Sequence, residues 1–93
     1  MIEFEWDDEK AAANLLTHGV SFELATRAFL DPSAVEWVDE REAYGEERTI
    51  LLAMADGTIL VVVYTERGDR IRLISARRAT RDEQDLYTLE NGA

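Results

Sequence analysis

The sequence predicts an α+β fold, with two helices early, a mainly antiparallel sheet through the middle and one helix at the end. Three observations predict it. Ile59-Leu60-Val61-Val62-Val63 is apolar at every position, as a strand buried on both faces of a sheet requires. Asp56-Gly57 separates two β-rich runs, a strong two-residue hairpin signal. Helix start and stop residues collect near the two ends of the chain, which gives the order β-α-α-β-β-β-β-α.

Each element has its own signal. Ile2, Phe4 and Trp6 alternate with Glu3, Glu5 and Asp7, the period of a half-buried strand. Asp7 or Asp8 then caps a helix whose end is marked by Gly19, where a left-handed cap belongs. The spacing of Ala12, Leu15 and Leu16 predicts its inner stripe. Ser21 caps a second helix with Phe22, Ala25 and Phe29 on one face, and Asp31-Pro32 stops it, because the residue before proline avoids the helical region. Val35–Val38 reads as a short strand, and the charged stretch Asp39–Glu47 as a loop. Arg48–Ala53 and Thr58–Thr65 flank the hairpin turn, Arg67-Gly68-Asp69 turns the chain again, and Arg70–Ala76 is the last strand. Thr80-Arg81-Asp82-Glu83 fits a capping box that opens a final helix through Leu86, Tyr87 and Leu89.

Bulk properties narrow the function classes. Ninety-three residues with 46% hydrophobic content fit one domain spanning residues 1–93. The absence of cysteine removes disulfides and thiolate metal sites. The acidic N-terminus does not read as a signal peptide and no apolar run approaches a membrane span, so a cytoplasmic location is expected. A net charge of −10 argues against nucleic-acid binding until its distribution is read. Residues 1–50 hold 13 acids and 4 bases, whereas Arg67, Arg70, Arg72, Arg77, Arg78 and Arg81 cluster over 67–81 with Asp69 as the only acid. The chain is bipolar, an acidic front with an arginine cluster behind.

Two stretches are more specific than secondary structure demands. One is Trp6-Asp7-Asp8-Glu9-Lys10, Asn14, His18-Gly19-Val20-Ser21-Phe22-Glu23 and Asp31-Pro32. The other is Val63 to Asp69, Ile71-Arg72, Ile74-Ser75-Ala76-Arg77, Ala79, Glu83 and Tyr87. In order and spacing this set resembles the BrnT toxin family across nearly the whole chain. The resemblance implies a fold like the RelE-type ribonuclease toxins, RNA cleavage without a metal or other cofactor, and neutralisation by a BrnA-type antitoxin. It also implies that the antitoxin, of ribbon-helix-helix type, makes the contact with operator DNA, with a 2:2 heterotetramer as one arrangement of the pair.

Metal-free RNA cleavage must remove the 2′-hydroxyl proton, neutralise the charged transition state and return a proton to the 5′-oxygen. Arginine suits the second task because its planar fork grips phosphate at two points. Arg67 in a tight turn and Arg77 at a strand end are the candidates for phosphate charge, with His18 or Glu66 in proton transfer. Lys10, Arg72, Arg78 and Tyr87 are the candidate RNA contacts. Lys10, Asn14 and His18 recur every four residues, and such a polar stripe can face a substrate groove. Each has a blander reading: charge-balancing surface arginines, a histidine on the last helical carbonyls, a packing tyrosine. Glu83 fits the capping box better than catalysis, and Glu3, Glu5 and Asp7 fit a solvated face better than a metal site. Two rival functions remain at this point, a non-catalytic acidic protein-binding module and a degenerate toxin that keeps only antitoxin binding and autoregulation.

Overall fold

A computed structural model of the chain describes residues 2–40 and 45–92. It has the predicted order: β1 (Glu3–Glu5), α1 (Asp8–His18), α2 (Phe22–Ala28), β2 (Val35–Val38), β3 (Thr49–Ala55), β4 (Thr58–Arg67), β5 (Arg70–Arg78) and α3 (Arg81–Glu90). The strands form one sheet ordered β1-β5-β4-β3-β2, antiparallel except for the parallel pair β1–β5. The apolar run Ile59–Val63 lies in β4, the central strand, as its two-faced apolarity predicts. Of the loop read over 39–47, residues 41–44 lie outside the described residues.

The local signals act as chemistry requires. Asp7 accepts from the backbone N–H groups of Glu9 and Lys10 and so caps α1, and Gly19 ends it at φ 69°. Ser21 accepts from Leu24 N–H at the start of α2. That helix ends at Ala28, ahead of the proline, with Phe29 as its cap. Asp56 and Gly57 both take positive φ, 49° and 80°, the geometry a tight hairpin turn needs.

The two faces of the sheet carry different layers. On one, α1 and α2 cover a core of Val20, Phe22, Ala25, Ala28, Leu51, Ala53, Leu60, Val62, Leu73 and Ala76. Burial of Phe22 alone, with no residual exposure, contributes about 1.5–3 kcal/mol. On the other, Ile50, Leu52, Val61 and Ala79 form a smaller cluster, joined by Val35, Ile59, Val63 and Tyr87 of α3.

Helix α1 corrects the sequence reading. Leu15 and Leu16 are 51% and 89% exposed, and the face turned inward is Ala11 and Asn14. The cause is the brevity of β1. It pairs with β5 only over Arg70–Arg72, which leaves the backbone at Ala76 without a strand neighbour on its β1 side, while β4 lies on the other. Asn14 takes that place: its amide donates to Ala76 O (2.8 Å) and Val20 O (2.9 Å), and its oxygen accepts from Ala76 N (3.1 Å). A buried amide with all these partners stabilises; the same backbone left bare would cost about 1–3 kcal/mol per group. The stripe of Lys10, Asn14 and His18 is therefore not one surface, since Asn14 is buried while Lys10 and His18 are exposed.

Candidate active site

Strand alternation sorts the functional candidates by face. Arg77 is paired with Val61, so its side chain stands on the face away from α1 and α2. There it borders a cleft of about 320 Å³ lined by Trp37, Ile50, Val61, Val63, Ser75 and Glu83. The floor is apolar, and polar groups stand on one wall.

That wall is a bidentate ion pair. Arg77 Nη1 and Nη2 donate to the two carboxylate oxygens of Glu83, each at 2.8 Å. Glu83 Oε1 also accepts from Thr80 N–H at 2.8 Å, while Thr80 Oγ1 accepts from Glu83 N–H, completing the predicted capping box. One carboxylate thus serves the helix cap and the arginine together. The Arg77 hydrogen bonds are the main cause holding the Glu83 carboxyl at about 2, below its ordinary 4.5, with the Thr80 backbone helping against the cost of burial. The sequence held a signal for this pair that its reading did not use. Arg77 and Glu83 are six residues apart, and the capped turn between strand and helix folds one back onto the other.

The remaining candidates lie elsewhere. Arg67 pairs with Glu46 (3.3 Å), not with Glu66, which strand alternation turns to the opposite face. Between the β4 partners of Arg77 and Arg70, Val61 and Arg67, lie six residue steps, so Arg67 and Arg77 stand about 20 Å apart along the sheet. The two arginines do not meet on one phosphate. Arg72 bonds Glu5 at 2.7 Å, and its neighbour Arg70 approaches Glu3 at 3.6 Å, a ladder that joins β1 to β5. Glu3 keeps the solvated face that the sequence reading gave it, whereas Glu5 is half-buried against Arg72. Arg78 is exposed and makes no ion pair with a described residue; its carbonyl accepts from Arg77 at 3.3 Å. Lys10 is exposed on α1. His18 ends α1, on the layer across the sheet from the Arg77 side chain, and its own side chain makes no hydrogen bond or ion pair with a described residue. Tyr87 donates to Asp31 Oδ2 at 2.6 Å. That bond, with burial second, raises the Tyr87 hydroxyl above its ordinary value. Asp31 is lowered although burial opposes it, because Tyr87 and the Met54 and Ser33 backbone N–H groups all donate to it.

Taken together, the cleft joins a paired cation and carboxylate to an apolar floor. The family model described as "Ribonuclease toxin, BrnT, of type II toxin-antitoxin system" matches residues 6–83. The chain belongs to the BrnT family. No curated protein matches it. Membership makes it a ribonuclease toxin of a type II toxin–antitoxin system, with an antitoxin as partner. Among the described residues, no helix is long and apolar enough to cross a membrane, and no three His, Asp or Glu side chains converge as a metal site would need.

Proposed function

We propose that this BrnT chain is a metal-independent endoribonuclease that cleaves cellular RNA at the Arg77–Glu83 cleft and thereby arrests growth. The observation that carries this reading is the bidentate pair itself, at 2.8 Å on both arms. A phosphodiester offers Arg77 the same two-oxygen edge that Glu83 offers in the free protein. When RNA takes that edge, Glu83 loses the partner that holds its carboxyl low, and its affinity for a proton rises. It then accepts the proton of the 2′-hydroxyl. The 2′-oxygen bonds to phosphorus, the bond from phosphorus to the 5′-oxygen breaks, and that oxygen takes a proton from the Glu83 carboxylic acid. The products are a 2′,3′-cyclic phosphate and a 5′-hydroxyl. Arg77 neutralises the charge that builds on the phosphate oxygens.

The antitoxin is of BrnA type, binds operator DNA through a ribbon-helix-helix part and assembles with the toxin in a 2:2 complex in the cytoplasm. The helix layer supports a basic partner: Asp8, Glu9 and Glu23 are exposed there without an ion pair to any described residue. The purified chain with a short RNA in EDTA tests the catalytic reading. Cleavage with cyclic-phosphate ends is expected. Cleavage that needs added Mg²⁺ contradicts metal independence, and intact RNA under all conditions favours a chain that only binds its antitoxin.

A further inference from the structure

The two tryptophans of the chain have different surroundings. Trp6 is half-buried and packs edge-on against Phe22, ring centroids 5.8 Å apart, so the core accounts for it. Trp37 is 39% exposed on the edge strand β2 and makes no ring contact with a described residue. It belongs to neither apolar cluster, and part of its ring is open to a partner. Its position places it in the cleft. Trp37 pairs with Ile50, Ile50 with Val63, and Val63 with Ser75, so these four side chains form one row across the cleft face. Arg77 is two residues on from Ser75 and shares that face. Trp37 is thus the far wall of the cleft whose near wall is Arg77 and Glu83, with Ile50, Val61 and Val63 as floor. Three strand spacings, about 14 Å, separate the strands that carry the two walls, and both long side chains border the same 320 Å³ space.

We infer that Trp37 is a stacking platform for an unpaired nucleobase of the RNA whose phosphate lies on Arg77, which makes single-stranded RNA the substrate class of the cleft. The inference rests on the assignment of the Arg77–Glu83 cleft as the ribonuclease site. Aromatic stacking accepts any base face, so the platform selects strandedness and not sequence. A base held in a duplex cannot reach it, because its faces are already stacked on neighbours.

The test compares wild type, Trp37→Ala, Trp37→Phe and Arg77→Ala on a short single-stranded RNA and on the same sequence in a duplex. For the single strand, Trp37→Ala raises KM about tenfold or more with a smaller effect on kcat, and Trp37→Phe restores most of the loss. Duplex cleavage, slow throughout, is unchanged by Trp37→Ala. A fully 2′-O-methylated single strand, which cannot be cleaved, quenches wild-type tryptophan fluorescence, and the quench disappears in Trp37→Phe. A wild-type KM in Trp37→Ala overturns the inference, as does an equal loss on duplex and single strand, or a loss of antitoxin binding with RNA binding intact. Undiminished cleavage by Arg77→Ala overturns the site assignment instead, a result distinguishable from failure at Trp37.

Discussion

The two faces of the sheet use polar side chains in opposite ways. Under α1 and α2, the Asn14 amide and the Tyr64 hydroxyl belong to buried residues and are partnered within the fold. Asn14 completes the β5 backbone, and Tyr64 donates to Glu36 at 2.8 Å, its hydroxyl pushed up to about 12 by burial and then by that carboxylate. On the cleft face the charged groups are partly exposed: the side chains of Arg77 and Glu83 keep 40% and 26% of their accessibility, those of Arg72 and Glu5 27% and 26%. A buried, fully partnered amide cannot change partner without cost, whereas a half-exposed arginine can trade a carboxylate for a phosphate. The contrast teaches that a buried, closed polar group serves the scaffold alone, while the proposed site draws on a pair that solvent and substrate can reach.

That contrast breaks first at Asn14. Asn14→Ala leaves the Ala76 and Val20 backbone groups without their partner and is expected to cost about 3 kcal/mol. In a chain of 93 residues this lowers the melting temperature by about 12–24 °C. A loss below about 1 kcal/mol, read by denaturant titration, would show that the helix face is less closed than described.

Next comes Tyr87, whose bond to Asp31 ties α3 to the loop after α2. Tyr87→Phe should cost about 1 kcal/mol and leave the cleavage chemistry in place, since the hydroxyl is committed to Asp31. A drop in kcat with unchanged stability would give Tyr87 a part in the cleavage chemistry.

Another effect appears at acid pH. Because the Glu83 carboxyl is held at about 2 against an ordinary 4.5, the stability from its pairing is present above about pH 4.5 and fades as pH falls towards 2. Glu83→Gln should remove that part of the acid dependence. Identical stability profiles for the two proteins between pH 6 and pH 2.5 would mean the pair is not formed in solution.

The smallest effect is expected at His18, which projects from the helix layer. His18→Gln should change the cleavage rate by less than about twofold at any pH. A lost limb in the pH–rate profile would place proton transfer on the helix face and remove the distinction between the faces.

Most of the fold was legible because its signals are local. Asp7, Gly19, Ser21, Asp56-Gly57 and Thr80 each act on backbone groups within a few residues, and each does in the structure what its type predicts. Helix α1 was misread because periodicity reports where apolar residues fall and not what the neighbouring strand lacks. The demand at Ala76 comes from 62 residues away. The charge split was legible as composition only, since pairing across the fold sets Glu3 and Glu5 against Arg70 and Arg72 and Glu46 against Arg67. At the site, Arg77 was visible, but its separation from Arg67 follows from strand register, and Trp37 enters the cleft only through the order of four strands.

The central claim is that RNA is cut on the cleft face, at Arg77. Single-turnover cleavage of a short single-stranded RNA in EDTA, comparing wild type with a folded Arg77→Ala variant, tests it most directly. The account predicts that the variant stays folded, though less stable than wild type because the Glu83 pairing is gone, and cleaves about 100-fold more slowly or worse because the charge on the transition state is no longer neutralised. Cleavage by Arg77→Ala at the wild-type rate would contradict it.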